Sequence, residues 1–160
     1  MERLERIFLI AAGVLLITFL AAAGYSAVGM HIHLPSHGTQ IHFTADQGLM
    51  KVLRHTAPFN HPGLKQIGPG RYEAVMIART WAFIPGEIEV PPGSEVTFIA
   101  TSADVVHGFY IPGTRVNMML IPGEVSRITY RFEKPGEYLL LCHEYCGRLH
   151  ETMWGEVEVR

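Results

Sequence analysis

Two cysteines, a histidine and a methionine fall within twelve residues near the C-terminus, in the run Leu141-Cys142-His143-Glu144-Tyr145-Cys146-Gly147-Arg148-Leu149-His150-Glu151-Thr152-Met153-Trp154-Gly155. These are the only two cysteines of the 160 residues. Three residues separate them, three more lead to His150 and two more to Met153. The run follows one strand-like segment and precedes another, so it reads as a loop between two fixed ends that can fold its side chains around one point. A Cys142–Cys146 disulfide would close so small a loop that its entropic effect would be slight, and it would leave His150 and Met153 without a role. Structural zinc takes four N or S ligands, commonly from Cys-x-x-Cys pairs, and does not use thioether. Thiolate, imidazole and thioether together are what copper selects. A single blue copper needs one cysteine, two histidines and a weak methionine, which makes the second cysteine surplus. Two coppers bridged by both thiolates use every residue, provided that a second imidazole arrives from elsewhere. His107, at the end of the apolar segment Val105-Val106-His107-Gly108-Phe109, supplies it. His143, between the ligand positions, is expected to point outward.

A loop of this kind needs a rigid frame. From Arg71 onward the chain alternates short β-branched or aromatic segments with turns. Strands are predicted at 72–77, 88–90, 96–100, 105–111, 115–120, 125–132, 138–141 and 156–159, punctuated by Pro85-Gly86, Pro91-Pro92-Gly93, Pro112-Gly113, Pro122-Gly123 and Pro135-Gly136. Short strands at this spacing with Pro-Gly turns indicate an all-β sandwich or barrel, and about 90 residues suffice for one core.

The N-terminal third differs. Residues 7–30 carry no charge over 24 positions, and about 20 apolar residues cross a bilayer as a helix. Ala21-Ala22-Ala23-Gly24 resembles a signal-peptide cleavage site, but the apolar character continues to Val28 and Met30, so a retained anchor over 1–30 fits better. Arg3 and Arg6 precede the segment and no Lys or Arg follows until Lys51. The positive-inside rule then makes the N-terminus cytoplasmic and puts the rest on the outer, periplasmic face of the cytoplasmic membrane. Residues 31–70 read as a connector holding His31, His33, His37, His42, His55 and His61 among Pro and Gly. A His-rich tract can bind metal, but the irregular spacing favours an incidental linker. Part of 43–54 suits a short helix. The formal charge of −2 and the absence of a basic stripe exclude nucleic acid as a partner.

Cys-x3-Cys-x3-His-x2-Met, an Asp-Val-x-His-Gly-Phe strand and an Ile-Pro-Gly-Glu turn between them closely resemble subunit II of haem–copper cytochrome c oxidases, over roughly residues 75–160. The resemblance implies a cupredoxin-like Greek-key sandwich behind one N-terminal transmembrane helix, holding the dinuclear copper centre CuA. It implies that Cys142 and Cys146 bridge the coppers, that His107 and Met153 complete one of them, and that His150 and the Glu144 carbonyl complete the other. The single anchor and short chain look like the B-type enzymes. Glu144 looks like the A-type, in which a Glu here also ligates magnesium at the interface with subunit I; B-type chains tend to carry Gln.

Further roles follow from the same resemblance. Trp81 lies where some members receive electrons, although a packed core aromatic fits it equally; Trp154 is either a lid on the copper or part of the docking face. By residue type alone, Phe109, Tyr110, Met118 and Met119 suit either an apolar docking patch or the core. Asp104 and Asn117 are candidates for orienting a ligand histidine through its free nitrogen. Residues 71–160 hold 12 acidic and 8 basic side chains, a mild acidity compatible with a basic partner. The implied function is to accept electrons from cytochrome c and pass them to haem in subunit I, where oxygen is reduced. Competing readings are the CuA subunit of a nitric oxide reductase, and a free-standing tethered copper carrier or copper-delivery protein. A nitrous oxide reductase, a large soluble enzyme with a second catalytic domain, fits a short anchored chain poorly.

Overall fold

A computed structural model describes residues 2–29, 36–43 and 48–160. The chain forms two units, Met1–Leu34 and Pro35–Arg160. The first is the helix α1, Arg3–Val28. Its first turn is closed by the Glu5 carboxylate, which accepts the Glu2 N–H at 3.3 Å. Its best 18-residue stretch has a mean hydropathy of 2.6, and none of that stretch is buried within the chain. At 26 residues the helix runs about 39 Å at roughly 1.5 Å per residue, long enough for a hydrocarbon core of about 30 Å. The expected anchor therefore has the required length and composition.

The second unit is a sandwich of two sheets. One has the order β1 (Ser36–Gln40), β9 (Glu124–Phe132), β6 (Ser94–Ser102), β3 (Arg71–Arg79), β2 (Gly63–Gly68), with β4 (Ala82–Ile84) also paired to β3. The other has the order β5 (Glu87–Val90), β11 (Trp154–Val159), β10 (Gly136–Leu141), β7 (His107–Tyr110), β8 (Asn117–Leu120). β3 runs parallel to β6 and β11 parallel to β5. Between the sheets lies a core in which Phe98, Phe109, Phe132, Leu140, Val90 and Val96 are fully buried. Phe109 meets Phe98 and Phe83 edge-on at 5.3 and 5.7 Å, and Phe132 meets Tyr138 at 5.0 Å. Edge-to-face rings at such spacings add packing energy beyond their buried area.

All eight strands expected from the sequence are present as β3 and β5–β11. The stretch expected as a connector differs, because β1, β2 and a short helix α2 (Leu49–Leu53) lie within it. The helix falls inside the 43–54 window that suited one. β1 hydrogen-bonds to β9 and β2 to β3, so both are integral sheet strands. The segment also has a core of its own. The outer face of the first sheet presents Val75, Ile77, Ile99 and Val125, and Ile41, Leu49, Leu53 and Phe59 cover them. An apolar outer face would not stay in water, so this stretch is a third layer. His31 and His33 lie outside the described residues, while His42, His55 and His61 are exposed.

Candidate metal centre

The loop 142–153 is clamped at both ends by the strand pair that it joins. Leu141 pairs with Trp154 across β10 and β11, and the Cys142 N–H donates to the Met153 carbonyl at 3.2 Å. Inside the loop the Thr152 and Met153 N–H groups donate to Leu149 and His150 at 3.0 and 3.1 Å, closing a 3-10 turn over His150–Thr152. That turn brings His150 and Met153 back toward the cysteines. Gly147, at φ +123°, adopts a backbone conformation that other residues rarely take. A Cβ there would stand 3.2 Å from the Trp81 indole nitrogen.

Six atoms converge on one spot. Cys142 Sγ lies 3.7 Å from Cys146 Sγ, and both thiols are free. Cys142 Sγ is 3.8 Å from His107 Nδ1 and 3.3 Å from the Glu144 carbonyl oxygen. Cys146 Sγ is 3.5 Å from His150 Nδ1 and 3.8 Å from Met153 Sδ. Each sulfur thus has one imidazole nitrogen and one weaker donor beside it. Cys142, Cys146 and Met153 are buried and His107 is wholly so. Among the described residues, His107, Cys142 and Cys146 form the one group of three metal-ligating side chains with donor atoms within 4.8 Å of one another.

The surroundings fit these atoms as ligands. Asp104 Oδ1 lies 2.8 Å from His107 Nε2; a carboxylate accepts, so Nε2 carries the proton and the Nδ1 lone pair faces the sulfurs. Asp104 also accepts from the Val105 N–H at 2.7 Å and from the Thr80 N–H and hydroxyl at 2.7 and 2.9 Å. Burial works to raise the Asp104 pKa, yet these bonds, led by the Thr80 N–H, hold it below the usual value. Burial likewise opposes charge on His107, but the Cys142 sulfur and then Asp104 outweigh it and raise its pKa. For Cys142, burial is countered by His107 and by the Gly108 and Glu144 N–H groups, which bring the thiol down to about 7. Cys146 is pushed up to about 12 by burial and by the neighbouring Cys142. Without metal the pair therefore favours one thiolate over two.

The other residues singled out in the sequence fall as follows. Phe109 is fully buried in the core, so it cannot form part of a docking patch; its strand turns it inward while Tyr110 turns outward. Tyr110 is half-buried with its ring 5.6 Å from that of His143. Asn117 is exposed on β8 opposite Tyr110, and among the described residues no hydrogen bond joins it to a histidine of the site. Met118 is core and Met119 is exposed. Trp81, Tyr145, Leu149 and Trp154 are exposed apolar groups on the loop or against it, Trp154 at 58 %. His143 is exposed and lies over Gly108, where an added Cβ would clash with its ring. Neither Thr80 nor Gly108 stood out from the sequence. Thr80 is 24 positions from Asp104, and no local pattern links the two.

Comparison with known proteins bears on this geometry. The family profile "Cytochrome C oxidase subunit II, periplasmic domain" matches residues 81–159. A cytochrome c oxidase subunit 2 of Thermus thermophilus is 41 % identical over 111 residues, spanning 68 % of this chain and 82 % of that one. The chain belongs to the cytochrome c oxidase subunit II family. A chain of a haem–copper terminal oxidase dimer determined by cryo-electron microscopy is 37 % identical, with TM-score 0.77, covering 99 % of this chain and 100 % of that one. The periplasmic domain of subunit II from Bradyrhizobium japonicum, at 22 % identity and TM-score 0.51 over 55 % of this chain and 83 % of that one, shares the fold. The sandwich of this subunit II is cupredoxin-like. Family and donor set together support copper at the cluster, and a subunit II implies a complex with subunit I.

Proposed function

We propose that this subunit II holds a dinuclear CuA centre, takes electrons from cytochrome c and passes them to haem in subunit I for oxygen reduction. The observation that carries this reading is the pairing of donors around two sulfurs 3.7 Å apart, with His107 Nδ1 and the Glu144 carbonyl beside Cys142, and His150 Nδ1 and Met153 Sδ beside Cys146. Two sulfurs shared between two coppers need one imidazole and one weak ligand for each ion, and that is the set present. When bound, the copper pair supplies one-electron transfer with the charge spread over both ions.

The chain's own residues do the rest. Cys142 and Cys146 would hold both coppers, with His107 and Met153 as further ligands of one and His150 and the Glu144 carbonyl as further ligands of the other, as the family resemblance implies. The paired ends of the loop hold these ligands in place whichever redox state is present, and Asp104 keeps His107 in the tautomer that binds. Burial of both sulfurs excludes water. Tyr145, Leu149, Trp154 and Trp81 form the apolar surface through which a donor reaches the loop, Trp81 by its contact with Gly147. The mild acidity of residues 71–160, with 12 acidic and 8 basic side chains, suits a basic donor. Magnesium at Glu144 would take its remaining ligands from subunit I. Residues 1–30 anchor the subunit with its N-terminus in the cytoplasm, which Arg3 and Arg6 support, and the sandwich, extended by β1 and β2, works on the outer face.

Purification of the intact complex tests this reading. A tightly held polytopic haem protein that consumes oxygen when fed by reduced cytochrome c is the expected outcome. A partner that reduces nitric oxide instead, or no partner at all, would contradict it.

A further inference from the structure

The Asp104 carboxylate joins two parts of the chain that the ligand set does not connect. Its Oδ1 takes the Val105 N–H and His107 Nε2, at 2.7 and 2.8 Å. Its Oδ2 takes both donors of Thr80, the N–H at 2.7 Å and the hydroxyl at 2.9 Å. Thr80 lies between β3 and β4 and is followed directly by Trp81, whose indole rests against Gly147 of the metal loop. The turn that carries Trp81 is thus tied at one side to a ligand histidine, through a carboxylate, and seated at the other on the loop that carries the cysteines. A threonine in a half-exposed turn ordinarily satisfies its hydroxyl with water. Here hydroxyl and amide converge on one oxygen of a residue 24 positions away.

We propose that Thr80 is a positioning residue that fixes the Asp104 carboxylate for His107 and, by the same bonds, fixes the Trp81 indole against the metal loop. This role rests on the copper reading above. Its physical content has two parts. Hydrogen bonds to Oδ2 draw negative charge away from Oδ1, so Thr80 moderates how strongly Asp104 pulls on the Nε2 proton of His107. With the hydroxyl removed, Asp104 pulls harder, Nδ1 becomes a stronger donor, and the oxidised metal is favoured. The same loss removes one of the two bonds between the Trp81 turn and Asp104, so the indole becomes more accessible.

The test uses the full chain in detergent with Thr80→Val, Thr80→Ala and Thr80→Ser. In the copper-loaded chain, Thr80→Val and Thr80→Ala lower the reduction potential and Thr80→Ser restores it. In the metal-free chain carrying Trp154→Phe, which leaves Trp81 as the only tryptophan, the Val and Ala variants show greater quenching of Trp81 emission by acrylamide. A wild-type chain that takes up no copper overturns the copper reading and this role with it. A wild-type chain with a normal copper spectrum, whose potential and Trp81 quenching are unchanged by Thr80→Val and Thr80→Ala, overturns the positioning role alone. So does a Thr80→Ser variant that behaves like Thr80→Val.

Discussion

At the scale of single residues, the site follows from which atoms face the two sulfurs. On the proposed CuA reading, Cys146→Ser puts a harder, smaller oxygen in place of a bridging sulfur, so a dinuclear absorption and EPR spectrum should be absent from the variant even if one copper still binds. His143→Ala should leave that spectrum intact, because the ring lies out over Gly108 and Tyr110. If His143→Ala removed the spectrum, the ligand assignment would be wrong. Proton linkage gives a further prediction with a definite sign. Copper requires both thiolates and unprotonated imidazole nitrogens. With Cys146 pushed up to about 12, its proton must leave at any neutral pH. Cys142, at about 7, and His107, with its raised pKa, add protons to be displaced only as the pH falls. Loading at pH 6 should therefore release more protons per chain than loading at pH 8, and apparent affinity should weaken toward acid. Calorimetry in buffers of different ionisation enthalpy measures this, and a pH-independent count would contradict it.

At the scale of elements, much of the frame was legible in the sequence and the reasons for the rest are physical. The strands from β5 to β11 announce themselves through β-branched runs between Pro-Gly turns, and the copper loop through soft ligands at tight spacing. β1 and β2 did not show, because Ser36–Gln40 and Gly63–Gly68 are rich in Gly and polar residues and take their order from their partners β9 and β3. A strand of four residues, His107–Tyr110, is too short for the sequence to reveal which face is which, so it leaves open whether Phe109 faces the core or a docking patch. The third layer makes its own prediction. Leu53 and Phe59 are buried at 0 and 1 % exposure against the first sheet, so Leu53→Ala or Phe59→Ala should each cost about 3 kcal/mol. The copper spectrum should not change, since these residues belong to the cluster on the far face of that sheet. Gly108→Ala should do the opposite: a Cβ there meets the His143 backbone nitrogen at 2.5 Å, next to His107, so it should damage copper binding as well as stability. Thermal unfolding with parallel copper titration separates the two cases.

At the scale of the whole molecule, the chain is an apolar helix followed by a small sandwich that presents a buried cluster of soft ligands. Deleting residues 1–30 should move the chain from the membrane to the soluble fraction while copper uptake is retained. A deletion variant that stayed in the membrane would remove α1 from its role as anchor. Family membership makes the molecule one subunit of an oxidase complex that includes subunit I. The central claim is that its two cysteines bridge two coppers, and the most direct measurement is metal content together with EPR on the purified full chain. Two coppers per chain and a mixed-valence signal with one unpaired electron shared by both nuclei are the expected result. One copper per chain, or a Cys142–Cys146 disulfide that persists after copper reconstitution, would contradict it.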